Sequence, residues 1–167
     1  MANPTTTLLK PLPPGESLRV CLLVSRYNQW ITDPLREGAI SAFNERAAEI
    51  TSAELVIAEA PGAYELPALA NTALALEDES AFDAIVCLGC IIRGETAHDR
   101  IIADAIVQGL TQLTIETAVP IGLGILTVES ADQAEARAGG TMGNKGAEAM
   151  NAALDTLAMQ TALADLA

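Results

Sequence analysis

Ala84-Ile85-Val86-Cys87-Leu88-Gly89-Cys90-Ile91-Ile92, followed by Arg93-Gly94-Glu95-Thr96-Ala97-His98, is the stretch whose reading decides the fold. An apolar run this short falls well below the length of a membrane span and reads as a strand buried on both faces. Just beyond it, Ile101, Ile102, Ala105, Ile106, Gly109, Leu110 and Leu113 recur at helical spacing, which predicts a helix between His98 and Thr117. The same unit repeats outward in both directions. Leu18 to Val24 and Glu54 to Ala60 read as strands before it, and Ile121 to Val128 as a fourth strand after it.

Helices are expected between and after these strands. Asp33-Pro34 reads as a helix start, with Asp33 as N-cap and Pro34 in the first helical position, running to about Ala48. Glu65 to Glu77 forms the next helix, with Pro67 in its first turn. Ser130 caps a short helix to Ala138, and a last helix runs from about Lys145 to Leu163. Strands alternating with helices imply an α/β domain over 18–167, a three-layer sandwich with a parallel sheet. Ligands of such a domain bind beyond the carboxyl ends of the strands. Residues 1–17, with Pro4, Pro11, Pro13 and Pro14, read as an extended or disordered arm.

Composition narrows the partners. Half the residues are apolar but only 3% are aromatic, so small aliphatic side chains must fill the core. A net charge of −13, with nine basic residues spread along the chain, provides no basic surface for nucleic acid or for an anionic membrane. An anionic substrate would need a few placed cations and backbone N–H groups. Met1 to Pro14 lacks the basic start and apolar core of a signal peptide, so the cytoplasm is the expected location. Cys21, Cys87 and Cys90 read as core; Cys87-Leu88-Gly89-Cys90 has the CxxC spacing but no second pair to complete a zinc site.

Four segments follow strand ends and carry polar character. Arg93-Gly94-Glu95-Thr96 presents either an anion-binding loop, with the Glu95 and Thr96 amides near a helix N-terminus, or a plain loop capped by Thr96. His98, the only histidine, is either structural or a proton-transfer group working near neutral pH. Gly139 to Gly146 holds four glycines in eight residues between Arg137 and Lys145, and reads as a flexible connector or a phosphate grip. Tyr27, one of five aromatics, either fills core or offers a platform to a flat ring.

Taken in order, these segments resemble the lumazine synthase family. Arg26-Tyr27-Asn28 is similar to its Arg-aromatic-Asn motif, and Pro61-Gly62-Ala63-Tyr64-Glu65-Leu66-Pro67 to its PGA(F/Y)E(I/L)P loop. Gly89 to Thr96 resembles its GxxIRG(E/A/D)T stretch, with His98 at the spacing of the catalytic histidine. Arg137 to Gly146 resembles the RAG…GNKG segment, and Glu148 falls at an acidic family position. The match runs from about Leu18 to Met159.

The resemblance implies a flavodoxin-like fold with a four-stranded parallel sheet and helices on both faces. The implied reaction condenses 5-amino-6-(D-ribitylamino)uracil with 3,4-dihydroxy-2-butanone 4-phosphate, without metal or organic cofactor. It implies stacking on Tyr27, with Asn28 and Gly62 in the same motifs. Backbone contacts come from Ala63, Tyr64, Cys90, Ile91 and Ile92, and ribityl contacts from Glu65. A phosphate grip would comprise Arg137 and the Glu95 and Thr96 amides, with Lys145 nearby. The implied assembly is a homopentamer, or a shell of pentamers, in which Leu123 meets a neighbour's ring. The residues after His98 depart from the family's aromatic–acidic–aromatic pattern, being Asp99-Arg100-Ile101. That departure keeps a second reading open, a weakly active or inactive lumazine- or flavin-binding shell subunit. An unrelated nucleotide-binding domain would need a GxGxxG turn; Gly122-Leu123-Gly124 instead sits within a strand.

Overall fold

Ser17–Ser25 (β1) and Ala84–Ile92 (β3) lie side by side at the centre of a parallel sheet, where the apolar run from Val20 to Val24 and that of β3 can be covered on both faces. Ser52–Ala60 (β2) and Ile121–Val128 (β4) flank them in the order β2-β1-β3-β4. The computed structural model describes residues 8–11, 15 and 17–166. Within the expected arm, residues 8–11 and 15 carry no helix or strand and Ser17 begins β1; the remainder of the arm lies outside the described residues.

Strand alternation divides the core in two. Val20, Leu22, Val24, Val86 and Leu88 pack against Leu35 and Ala39 of Gln29–Ala47 (α1). Met150 and Leu154 of Lys145–Ala164 (α5) complete that face. Cys21, Leu23, Ile85 and Cys87 pack on the other, against Leu66 and Ala70 of Leu66–Leu74 (α2) and Ile106 and Leu110 of His98–Thr117 (α3). The three expected layers are therefore present. β3, α3 and β4 occupy the expected ranges, and Ala131–Arg137 (α4) is capped by Ser130, whose side chain accepts from the Gln133 N–H.

Three local expectations are corrected. α1 begins at Gln29, not at Pro34, because Asn28 adopts left-handed backbone (φ 59°, ψ 45°) and its carbonyl accepts from the Ile31 and Thr32 N–H groups. Pro34 thus sits inside the helix, and Asp33 pairs with Arg36 at 3.2 Å rather than capping. α2 is preceded by a 3₁₀ turn at Ala63–Glu65 and stops at Leu74 rather than Glu77. The glycine-rich link is no flexible connector. Ala138–Gly140 (β5) pairs antiparallel with Gly143–Asn144 (β6), and Gly143 holds φ 77°, a conformation that favours glycine.

Asn144 secures this hairpin. Its Oδ1 accepts from the Gly146 and Ala147 N–H groups, and its Nδ2 donates to the Pro34 carbonyl at 2.8 Å. A Cβ on Gly146 would lie 2.0 Å from the Leu35 carbonyl oxygen, so α5 must enter here as bare backbone. All three cysteines are buried and free. Cys87 and Cys90 belong to opposite faces of β3, so the CxxC spacing does not bring their thiols together.

Two stability predictions follow. Gly146→Ala is expected to destabilise the fold by about 1–3 kcal/mol through overpacking, measured by denaturant unfolding. Burial pushes the Cys21 and Cys90 thiols up to about 11 from 9.0, and raises Cys87 as well. A thiol pKa higher in the folded than in the unfolded state contributes stability that is full below the unfolded value. That contribution should therefore fade as pH rises from about 9 to about 11, more steeply than in a Cys21→Ala, Cys87→Ala, Cys90→Ala variant.

Candidate active site

Polar groups can gather only where the buried strands end, and at their carboxyl ends three connections meet around a cavity of about 360 Å³. The β1–α1 turn contributes Tyr27 and Asn28, and the segment after β2 contributes Gly62, Ala63, Tyr64 and Glu65. The last turn of β3 contributes Cys90, Ile91 and Ile92. The following loop and α3 add Gly94, Thr96, His98, Asp99 and Ile102. Gly94, Asp99 and Ile102 were not among the expected site residues; Ile102 follows from His98, since the position four beyond it lies on the same helix face.

The turn at Asn28 sets the cavity's shape. Its Nδ2 donates to the Cys90 carbonyl at 3.0 Å, tying the start of α1 to the end of β3. Asn28 therefore acts on the strand end, and one lone-pair direction of the Cys90 carbonyl is already used. Tyr27 follows from this turn with 70% of its surface exposed, and Tyr64 opposite it with 63%. Neither ring fills core. Glu65 Oε2 lies over Gly62, where an added Cβ would come within 2.9 Å of it.

His98 is the first residue of α3 and is exposed at the cavity. Its backbone N–H faces Thr96 Oγ1 at 3.4 Å, and among the described residues its imidazole has no hydrogen-bond partner. Its ring nitrogens are thus left for a ligand. Glu95 is exposed in the loop between Gly94 and Thr96 but does not line the cavity.

The remaining expected site residues lie elsewhere. Leu123, half of it exposed, lines a separate cavity of about 250 Å³ with Arg137 and Lys145. That cavity touches every residue from Leu123 to Val128, and consecutive strand residues alternate faces, so it runs along the open edge of β4. No residue lines both cavities. Lys145 Nζ contacts Glu148 Oε2 at 2.5 Å, and Arg93 Nη1 contacts Glu129 Oε2 at 2.5 Å. Arg137 donates from Nη1 to the Gln133 carbonyl at 3.0 Å and, among the described residues, has no carboxylate within ion-pair distance. Of the two cations lining this cavity, it is the one without a carboxylate partner. Among the described residues, no group of three or more His, Cys, Asp or Glu side chains is placed to hold a metal ion, and no helix is long and apolar enough to cross a membrane.

Comparison with known proteins gives a consistent match. The family model described as 6,7-dimethyl-8-ribityllumazine synthase matches residues 17–161. The 6,7-dimethyl-8-ribityllumazine synthase of Gemmatimonas aurantiaca is 42% identical over 145 residues, 87% of this chain and 85% of that one. Those of Edwardsiella ictaluri and Yersinia pestis (strain Pestoides F) are 42% and 40% identical over 139 residues, 83% of this chain and 86% of each relative.

The left-handed turn predicts an ordering of variants. Asn28→Gly loses the bond to Cys90 but keeps the backbone, whereas Asn28→Ala loses both. Alanine should therefore be less stable than glycine by about 1 kcal/mol in thermal or denaturant unfolding. Equal stability would mean that the turn is not under this constraint.

Proposed function

The chain belongs to the 6,7-dimethyl-8-ribityllumazine synthase family, and from that premise we propose how its two cavities divide the reaction. It is an enzyme with lumazine synthase activity in riboflavin biosynthesis. The substrates are 5-amino-6-(D-ribitylamino)uracil and 3,4-dihydroxy-2-butanone 4-phosphate.

The pyrimidine occupies the His98 cavity. Its ring stacks on the exposed face of Tyr27, backbone groups of Ala63, Tyr64, Ile91 and Ile92 read its polar edge, and Glu65 accepts from ribityl hydroxyls. Arg137 and the Glu95 and Thr96 amides take the phosphate, with Lys145, oriented by Glu148, beside it. The amine of the pyrimidine attacks the ketone and water leaves, giving an imine. Phosphate then leaves by elimination, and the ribityl-bearing nitrogen closes the ring with loss of a second water. His98 carries the protons at the amine and carbonyl centres. Holding two reactants in register supplies much of the remainder.

One observation carries the assembly: the cavity of Arg137 and the cavity of His98 share no residue. We infer that the β4 edge of one copy completes the His98 cavity of the next, bringing Leu123, Arg137 and Lys145 to the bound ring. Such a contact joins two different surfaces, so it propagates head to tail, and it forms a closed ring when the rotation between copies divides a full turn. A pentamer, alone or as the unit of a shell, satisfies this. The cytoplasm suits three free thiols.

The test is lumazine absorbance on mixing the protein with both substrates. No acceleration over the uncatalysed mixture would overturn the enzymatic reading and leave a lumazine- or flavin-binding shell subunit. His98→Ala should lower kcat by about a hundredfold or more while sparing pyrimidine binding. Arg137→Ala should mainly raise KM for the phosphorylated substrate. Co-assembly of the two variants should restore full sites at roughly one interface in four, because each supplies what its neighbour lacks. No restoration would place both residues in a single chain's site.

A further inference from the structure

The two cavities carry opposite charge. Glu65 and Asp99 line the His98 cavity and no lysine or arginine does, whereas Arg137 and Lys145 line the β4 cavity and no carboxylate does. Glu65 lies in a loop that matches the family, but Asp99 stands where the family pattern has an aromatic residue. It is the second residue of α3, and among residues 93–101 it alone is half-buried, the others being exposed. Partial burial strips water from a carboxylate, a cost that hydrogen bonds must offset. The chain offers none: among the described residues Asp99 makes no ion pair and no side-chain hydrogen bond. Arg93 lies close enough to feel its charge. Yet Nη1 of Arg93 is engaged by Glu129 Oε2 at 2.5 Å, the contact that foremost holds its guanidinium above its ordinary pKa. A first-turn carboxylate also offsets the dipole of α3, but an exposed side chain would serve that purpose equally.

We propose that Asp99 is a specificity-determining residue: its carboxylate accepts a hydrogen bond from the 5-amino group of the pyrimidine and holds that amine beside His98. This rests on the substrate assignment proposed above. The pyrimidine is rich in N–H and O–H donors and carries no phosphate. A cavity with two carboxylates and no lysine or arginine suits it, while the phosphorylated butanone is drawn to the β4 half. Glu65 is taken by the ribityl hydroxyls. Asp99 adjoins His98, which serves the amine, and is left for that group. No proton is transferred in this contact; it restricts rotation of the amine and so directs its lone pair at the ketone.

Titration of the purified protein with two ligands tests this without turnover: the pyrimidine itself, and 6-(D-ribitylamino)uracil, which lacks the 5-amino group. Wild type should bind the analogue about tenfold more weakly, the size expected for one charge-assisted hydrogen bond. In Asp99→Ala the pyrimidine should lose about tenfold while the analogue is unaffected, so the discrimination disappears. Asp99→Asn, which keeps an acceptor but not the charge, should fall between. Equal weakening of both ligands in Asp99→Ala would mean a change of shape and overturn the proposal. Unchanged binding of both with a lower melting temperature, the mark of a helix-end charge alone, would overturn it too. So would dissociation of the assembly, which would assign the carboxylate to the subunit contact. If wild type fails to bind the pyrimidine, the substrate assignment fails and the role of Asp99 falls with it; if wild type binds both ligands equally, the role of Asp99 alone is wrong.

Discussion

Burial of β1 and β3 on both faces is the constraint from which the rest of the molecule follows. Val20, Leu22, Ile85, Val86, Cys87 and Leu88 have no measurable exposure, so neither face of the central pair can hold a polar site. Chemistry is displaced to the strand ends. There Ser25 gives way to Tyr27 and Asn28, and Cys90 to Ile92 give way to Arg93 and the loop before His98. With few aromatics available, small aliphatic side chains close both faces, and α5 reaches the Leu35 carbonyl of α1 only because Gly146 adds no side chain. The two tyrosines are thereby left exposed at the cavity rim.

Much of this was legible in the sequence, and the misses have specific causes. The double-sided strands and the 3.6-residue spacing of α3 gave correct bounds because burial and periodicity are properties of the local sequence. The start of α1 was misread because Asp33-Pro34 is a strong local signal. The determining feature, the left-handed backbone of Asn28 with its bond to the Cys90 carbonyl, joins residues 62 positions apart. The hairpin at Ala138–Asn144 was missed for a similar reason: its glycines look permissive until Asn144 is seen fastened to Pro34. The resemblance set Leu123 against a neighbour's ring, but that Arg137 and Lys145 share its cavity was not legible. Leu123, Arg137 and Lys145 follow the others in sequence order but lie along the β4 edge.

Electrostatics explains why so few cations suffice. With a net charge of −13, the surface as a whole repels anions, and phosphate can be held only where local geometry outweighs that field. Lys145 and Arg93 each carry a carboxylate partner, which orients them but consumes part of their attraction. Arg137 alone among these three has none within the described residues, and its remaining donors point from the end of a seven-residue helix anchored by Ser130 and Gln133. In the phosphate grip proposed above, the paired Lys145 would give direction and the unpaired Arg137 affinity.

The divided site proposed above would also set what folding must achieve. The contacts that fix the turn beside Tyr27 and hold Arg137 are internal to one chain: Asn28 to Cys90 and Gln133 to Arg137. Association as proposed would then have only to bring two preformed halves together, with little additional ordering cost. The open edge of β4 fits that role. An unpaired edge strand is a hazard unless something covers it, and here the cation-bearing cavity runs along it from Leu123 to Val128. A neighbouring copy seated there would cover the edge and complete the site in one step, so that protection against wrong pairing and assembly of the catalytic groups become the same contact.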